Sequence, residues 1–65
     1  MTPIQQAVEI AGGQASLARM LGVSGSFVSQ LVAGHRPVPA KKCAAIEKAT
    51  GITREELRPD IFGEE

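Results

Sequence analysis

Apolar residues recur at intervals of three and four near the start of the chain, which is the spacing of one face of an α-helix. In this segment they are Ile4, Ala7, Val8 and Ala11. Thr2 is a suitable N-cap, and Pro3 is a residue favoured at the first helical position. Since Gly12 and Gly13 follow, the pattern predicts a first helix over residues 3–11.

Two further helical patterns follow, with one short turn between them. The first covers residues 14–21 and ends at Gly22, because glycine can take the left-handed conformation of a tight turn. The second covers residues 24–33, with Ser24 as its cap, and ends at Gly34. Its inward positions are Val28, Leu31 and Val32. Its outward positions are Ser26, Ser29, Gln30 and Ala33. The pattern therefore predicts an amphipathic third helix with a polar outer face.

Residues 35–39 contain two prolines and are expected to form an extended connector. A fourth helix should begin near Pro39 or Ala40 and end at Gly51. Its inner positions are expected to be Cys43, Ile46 and Thr50.

The C-terminal pattern predicts one last short helix. Thr53 and Glu56 have the spacing of a capping box for the segment ITREEL, which precedes Pro59. The chain as a whole, residues 1–65, is thus expected to be a single all-α domain of five short helices.

Composition narrows the class of protein. The chain has 65 residues, 43% of them hydrophobic, and its single cysteine leaves no partner for an intramolecular disulfide. No CxxC or CxxxH spacing offers a zinc site, so we expect neither a metal nor a cofactor. No apolar run approaches the roughly 20 residues of a membrane span, and the N-terminus lacks an export signal. We therefore expect a cytoplasmic protein with no membrane partner.

An enzymatic function is not expected. The chain has one histidine and one cysteine, and no paired carboxylates share a predicted helix face. It has no phosphate-cradling glycine loop and little room for a pocket.

The formal net charge of zero hides a division of charge along the chain. Residues 1–53 carry five basic and two acidic residues, a net +3, whereas residues 54–65 carry two basic and five acidic residues, a net −3. The basic excess that DNA-binding domains usually show is therefore present in the body of the chain and is cancelled by the tail.

Residues 14–34, QASLARMLGVSGSFVSQLVAG, have the organisation of a helix-turn-helix. A helix of about two turns, a short turn opened by Gly22 and a second helix are expected of two helices that cross steeply. Ala18 is small where the helices would approach most closely. The residues expected to fill the crossing are Leu17, Leu21, Val23, Val28 and Leu31. We interpret the segment as a DNA-binding motif; the alternative is an ordinary helical hairpin.

The polar residues of the third helix lie near its N-terminal end, which enters the major groove in this motif. Glutamine can pair with the edge of adenine, serine can bond to several base edges, and phenylalanine can meet a thymine methyl. The candidate base-contacting residues are Ser26, Phe27, Ser29 and Gln30. The candidates for contacts with the DNA backbone are Gln14, Arg19, Ser24, His35, Arg36, Lys41 and Lys42.

The spacing of alanine, glycine, valine and leucine in residues 14–34 resembles the helix-turn-helix of phage repressor and Cro-like proteins. The segment GITREELRPDIF is similar to the one that closes the domain in the YdaS family of prophage-encoded, Cro-like regulators, also described as antitoxin-like. The resemblance covers about Ile4 to Phe62. It implies a lambda-repressor/Cro-like fold and a sequence-specific transcription regulator that binds paired operator half-sites in the bacterial nucleoid. Gly25 departs from the pattern, because many repressors carry a base-contacting glutamine there.

Several residues have a second interpretation. Phe27 can pack in the small core instead of meeting a base, and His35 can be a simple surface residue. Lys41 and Lys42 can form a solvated helix face, and the acidic tail can serve solubility or repel non-specific DNA.

The rival function is a protein-interaction module, an antitoxin-like partner that binds a toxin or a larger regulator. For the regulator, we expect a monomer or weak homodimer that pairs on DNA, because one helix reads only a few base pairs. Ile61 and Phe62 are candidates for the pairing contact or for covering the core.

Overall fold

The computed structural model describes residues 2–63, which form six α-helices and, within that range, no strand. The helices are α1 (Pro3–Ala11), α2 (Gln14–Leu21), α3 (Gly25–Ala33), α4 (Ala40–Thr50), α5 (Arg54–Leu57) and α6 (Pro59–Phe62). The predicted all-α fold is confirmed. None of the described helices has the length and apolar character needed to cross a membrane.

Side chains cap the start of several helices. At α1 the Thr2 hydroxyl accepts from the Gln5 backbone N–H at 3.2 Å, and the Gln5 side chain accepts from the Thr2 N–H at 3.0 Å. At α5 the Thr53 hydroxyl accepts from the Glu56 N–H, but the Glu56 carboxylate accepts from the Thr53 hydroxyl rather than from its backbone. The capping box predicted at Thr53 is therefore only half formed.

The core lies where α1, α2, α3 and α4 meet. Its largest fully buried side chains are Leu17, Val28, Cys43 and Ile46. Smaller or peripheral buried residues are Ile4, Ala7, Ala18, Leu21, Leu31, Val38 and Ile52. The inward positions predicted for α3 and α4 are confirmed at Val28, Leu31, Cys43 and Ile46, whereas Val32 and Thr50 are half-buried. The Thr50 hydroxyl instead donates to the Ile46 carbonyl at 2.8 Å.

The C-terminal segment differs from the predicted single helix over residues 52–57. Ile52 lies ahead of the cap at Thr53, so α5 begins only at Arg54. Pro59, read from the sequence as a stop, also begins the additional helix α6. Proline suits the first position of a helix as well as it ends the preceding one, which accounts for six helices where five were expected.

Arg58 connects this segment to the connector between α3 and α4. Its Nη1 donates to the Val38 carbonyl at 2.7 Å, and its Nε and Nη2 donate to the two carboxylate oxygens of Asp60 at 2.9 and 2.7 Å. A forked guanidinium can make these bonds together, whereas a lysine ammonium cannot. Arg58 and Asp60 belong to the ELRPD segment, residues 56–60. Through Arg58 this segment is hydrogen-bonded to the connector that follows α3.

The two apolar residues of α6 have different surroundings. Phe62 is half-buried against the core, and the Arg54 guanidinium lies over its ring at 5.8 Å from the centroid. Ile61 is 49% exposed. Phe62 therefore covers the core, and Ile61 is left at the surface.

A matched pair of substitutions tests the location of the core. Ile46→Val removes one methyl group from a fully buried site, so we expect the free energy of unfolding to fall by about 0.5–1.5 kcal/mol. Ile61→Val makes the same change at an exposed site and should alter it by less than about 0.5 kcal/mol. Urea denaturation followed by circular dichroism measures both, and equal losses would contradict the proposed packing.

The Arg58–Asp60 pair should make stability depend on pH. Hydrogen bonds from Arg58 hold the pKa of the Asp60 carboxyl below its usual value of 3.8. Since the folded-state pKa is the lower one, the ionised carboxylate stabilises the fold above the unfolded pKa and loses this effect as pH falls through the folded pKa. We expect Asp60→Asn to be less stable than wild type near neutral pH, with the difference shrinking below about pH 4. A difference independent of pH would contradict this role of the pair.

Candidate nucleic-acid interface

Helices α2 and α3 form a helix-turn-helix with a closed turn. Gly22 has a φ of 71°, in the left-handed region, and its N–H donates to the Arg19 carbonyl at 3.3 Å. The Val23 N–H donates to the Ala18 carbonyl at 3.0 Å, which completes a Schellman motif. Ala18 and Val28 are buried, so the crossing is tightly packed. The predicted turn is confirmed, and Ala18 is buried in α2.

The outer face of α3 carries uncharged polar side chains. Ser26 and Ser29 are exposed, and Gln30 is half-buried. Within residues 2–63, hydrogen bonds do not occupy any of these three side chains. Gly25 opens the helix with no side chain, so the departure noted in the sequence leaves open space at this position.

Ser24 caps α3. Its hydroxyl oxygen accepts from the Phe27 backbone N–H at 3.1 Å, and its own hydroxyl hydrogen remains available to a further acceptor. The cap fixes the first turn of the helix, on which Ser26 lies.

Phe27 is half-buried and packs against the core. The Arg36 guanidinium lies over its ring, with its carbon 5.3 Å from the ring centroid. Cation–π contact at this distance is attractive. Phe27 therefore contacts both the core and Arg36. The Arg36 guanidinium lies beside the first turn of α3.

Lys42 lies near the turn of the motif. Its Nζ donates to the Leu21 carbonyl, the last of α2, at 3.2 Å. This bond satisfies an end carbonyl of α2 and places the start of α4 next to the turn that leads into α3. Lys41, the neighbouring cation, is exposed.

The other candidates lie at separate points on the surface. Gln14 is exposed at the first position of α2, where Gly13 supplies no side-chain cap. Arg19 is exposed in the last turn of α2. His35 is exposed after α3, and its backbone N–H donates to the Gln30 carbonyl at 3.0 Å. The structure therefore brings Ser24, Ser26, Phe27, Gln30 and Arg36 together around α3. His35 is joined to this group only through its backbone N–H, and within residues 2–63 no hydrogen bond or ion pair joins Gln14, Arg19 or Lys41 to it.

Ion pairs divide the arginines into two groups. Arg54 pairs with Glu47 at 3.2 Å and Arg58 with Asp60 at 2.7 Å. Among the described residues, no carboxylate pairs with Arg19 or Arg36. The unpaired arginines thus belong to the helix-turn-helix and its connector, and the neutralised ones belong to the C-terminal segment.

The described residues offer no other candidate site. They contain no cluster of three metal-ligating side chains and no pocket. Burial raises the pKa of the Cys43 thiol, which accordingly stays protonated at neutral pH.

Known proteins resemble this chain over nearly its whole length. Residues 4–65 match the family model described as "Bacterial toxin YdaS". The protein named "Putative transcriptional regulator YdaS" of Escherichia coli (strain K12) is 51% identical over 59 residues, which cover 88% of this chain and 60% of that protein. The Gene 30 protein of Enterobacteria phage phi80 is 36% identical over 62 residues, covering 94% of this chain and 85% of that protein.

A solved structure supports the same grouping. The Cro protein from a prophage element of Xylella fastidiosa strain Ann-1 matches with a TM-score of 0.89 and 39% identity, over 98% of this chain and all of that one. The predicted Cro-like fold is confirmed.

The adjacent lysines of α4 allow a test of the Lys42 bond. Lys42→Met leaves the Leu21 carbonyl without its side-chain donor, so the free energy of unfolding should fall by about 0.5–1.5 kcal/mol. Lys41→Met changes the same charge at an exposed site and should have little effect on urea denaturation. Equal effects of the two substitutions would show that the bond does not stabilise the motif.

Proposed function

Since the chain belongs to the YdaS family, we propose that it is a sequence-specific, DNA-binding transcriptional regulator of phage or prophage type. One observation carries the proposal: the second helix of a helix-turn-helix presents uncharged polar side chains that no hydrogen bond in the described residues occupies. The relatives' names describe a regulator and a Cro protein, and neither name describes an enzyme.

In this proposal the first half of α3 enters the major groove. The Gln30 amide pairs with the N6/N7 edge of an adenine, and the hydroxyls of Ser26 and Ser29 bond to neighbouring base edges. Gly25 makes no side-chain contact, so this protein reads one position fewer than a repressor with glutamine there. Its operator therefore differs from those of such repressors.

Contacts with the DNA backbone fix the orientation of α3. The N-terminus of α2 offers backbone N–H groups and the Gln14 amide to one phosphate, and the Ser24 hydroxyl donates to another. Lys42 keeps two ammonium hydrogens after its bond to Leu21. The remaining proposed contacts, supplied by imidazole and cationic side chains at the surface, are Arg19, His35, Arg36 and Lys41.

Two copies bind one operator. A single α3 contacts only a few base pairs, and paired half-sites about one helical turn apart allow two copies to bind side by side. Ile61, exposed on α6, is the candidate pairing contact in a weak homodimer. The protein acts in the bacterial cytoplasm on nucleoid DNA.

Fluorescence anisotropy with DNA from beside the gene, after footprinting has located the protected site, tests base reading. We expect Gln30→Ala to weaken binding to that site by about 5- to 150-fold, equivalent to about 1–3 kcal/mol, because one bidentate base contact is lost. On DNA of random sequence the same variant should bind like wild type.

Gln14→Ala is the matched control, because it removes a glutamine from a proposed phosphate contact. It should weaken binding to both DNAs by the same factor, and raising the salt concentration should weaken all variants. A protein that protects no site and is insensitive to Gln30→Ala would contradict the proposal. Stoichiometric complex formation with the product of a neighbouring gene would then favour a protein-interaction module that binds a toxin or larger regulator.

A further inference from the structure

The side chain of Arg36 runs back along the recognition helix. Arg36 lies beyond the end of α3, yet its guanidinium covers the ring of Phe27, the third residue of that helix. Phe27 and Ala33, the last helical residue, are about 9 Å apart along the axis. The guanidinium is therefore placed beside the first half of α3, away from its own backbone.

Residues before and after Arg36 in the connector restrict the position of its backbone. Gly34, with a φ of 81°, turns the chain, and the His35 N–H donates to the Gln30 carbonyl. Pro37 restricts the residue before it to extended conformations. Further along, Val38 is buried and its carbonyl accepts from Arg58. The Phe27 ring then supplies a third point of contact, for the side chain.

The position of Phe27 puts this guanidinium next to the base-reading face. Phe27 and Gln30 are three residues apart on α3, so they are neighbours on one flank of the helix. The Phe27 ring packs against the core on one side and is covered by Arg36 on another. A thymine methyl could reach that covered face only by displacing Arg36.

The charge of Arg36 is held in place without being neutralised. Arg54 also lies over an aromatic ring, that of Phe62, but it is paired with Glu47. Arg36 has no carboxylate partner within residues 2–63 and is exposed. Cation–π contact with a ring takes no conventional hydrogen bond from a guanidinium, so its N–H groups remain able to bond two oxygens of one phosphate.

We infer that Phe27 is a positioning residue rather than a base-reading one, and that its ring holds Arg36 against a DNA phosphate at the groove edge beside Gln30. The inference rests on the proposed function and replaces the base-contacting role expected for Phe27 from the sequence. Arg36 is then already in place before DNA binds, so less side-chain conformational entropy is lost on binding.

A double-mutant cycle tests the inference by anisotropy on the footprinted site. Arg36→Ala should lower the affinity and reduce the slope of log K against log salt by about 1, as the loss of one phosphate contact requires. Phe27→Leu should weaken binding by about two- to fivefold, the range of an exposed cation–π contact. In the Arg36→Ala background, Phe27→Leu should have no further effect.

Controls separate positioning from loss of folding. Phe62→Leu removes the other ring in cation–π contact with an arginine, the ion-paired Arg54, and should leave DNA affinity unchanged. Circular dichroism verifies that each variant is folded, and Phe27→Met is the substitute if Phe27→Leu unfolds. In the DNA-free protein, ring-current shifts of the Arg36 side-chain protons should be seen by NMR and should disappear in the Phe27 variant.

The possible results distinguish a failure of the role inferred for Phe27 from a failure of the proposed function. Losses from Phe27 and Arg36 that simply add, or an unshifted Arg36 spectrum in wild type, would overturn it while sequence-specific binding through Gln30 still stood. A wild-type protein that protects no operator would overturn the proposed function, and this role of Phe27 with it. Non-additive losses with a matching change in salt slope would support the inference.

Discussion

The close crossing of α2 and α3 is the constraint on which the rest of the structure depends. Ala18, the small residue of α2, is buried, and Gly22 takes the left-handed conformation that lets the chain turn within three residues. A longer side chain at position 18 would separate the helices, and a Cβ at position 22 would strain the turn. The inner face of α3 is buried through Val28 and Leu31, and Ser26 and Ser29 on its outer face remain exposed.

The remaining helices support that pair from behind. Lys42 bonds the last carbonyl of α2, so the start of α4 is held at the turn of the motif. Arg58 bonds the Val38 carbonyl and Asp60, so the C-terminal segment holds the connector that follows α3. Two side chains distant in sequence thus bond to the chain on either side of α3, one at the end of α2 and one in the connector. Such bonds help a chain of 65 residues, whose core is thin, to hold α3 in a defined orientation.

Much of the fold could be predicted from the sequence because its signals are local. Apolar spacing, proline and glycine specified α1 to α4 and the helix-turn-helix, and they identified Ser26 and Ser29 as exposed. Local signals were ambiguous at Pro59, since proline both ends and begins helices.

The details of the candidate site depend on contacts between residues far apart in the chain. The spacing of apolar and polar residues does not predict such contacts. Lys42 meets a carbonyl 21 residues away, and Arg36 reaches back nine residues to Phe27. Arg58 belongs to the ELRPD segment, residues 56–60, but only its bond to the Val38 carbonyl shows what that segment does in the fold. Equally, net charge is a poor guide here, because the acidic tail masks a body whose unpaired arginines lie in and just after the helix-turn-helix.

Titration of the ¹⁵N-labelled protein with the footprinted DNA, followed by NMR, tests the central claim most directly. If α3 enters the groove, the largest shifts will fall on the backbone amides of Ser26 to Gln30 and on the N-terminus of α2, with smaller shifts at Ile61 where two copies pair, while α5 changes little. Shifts concentrated on α5 and α6, with α3 unaffected, would contradict the account.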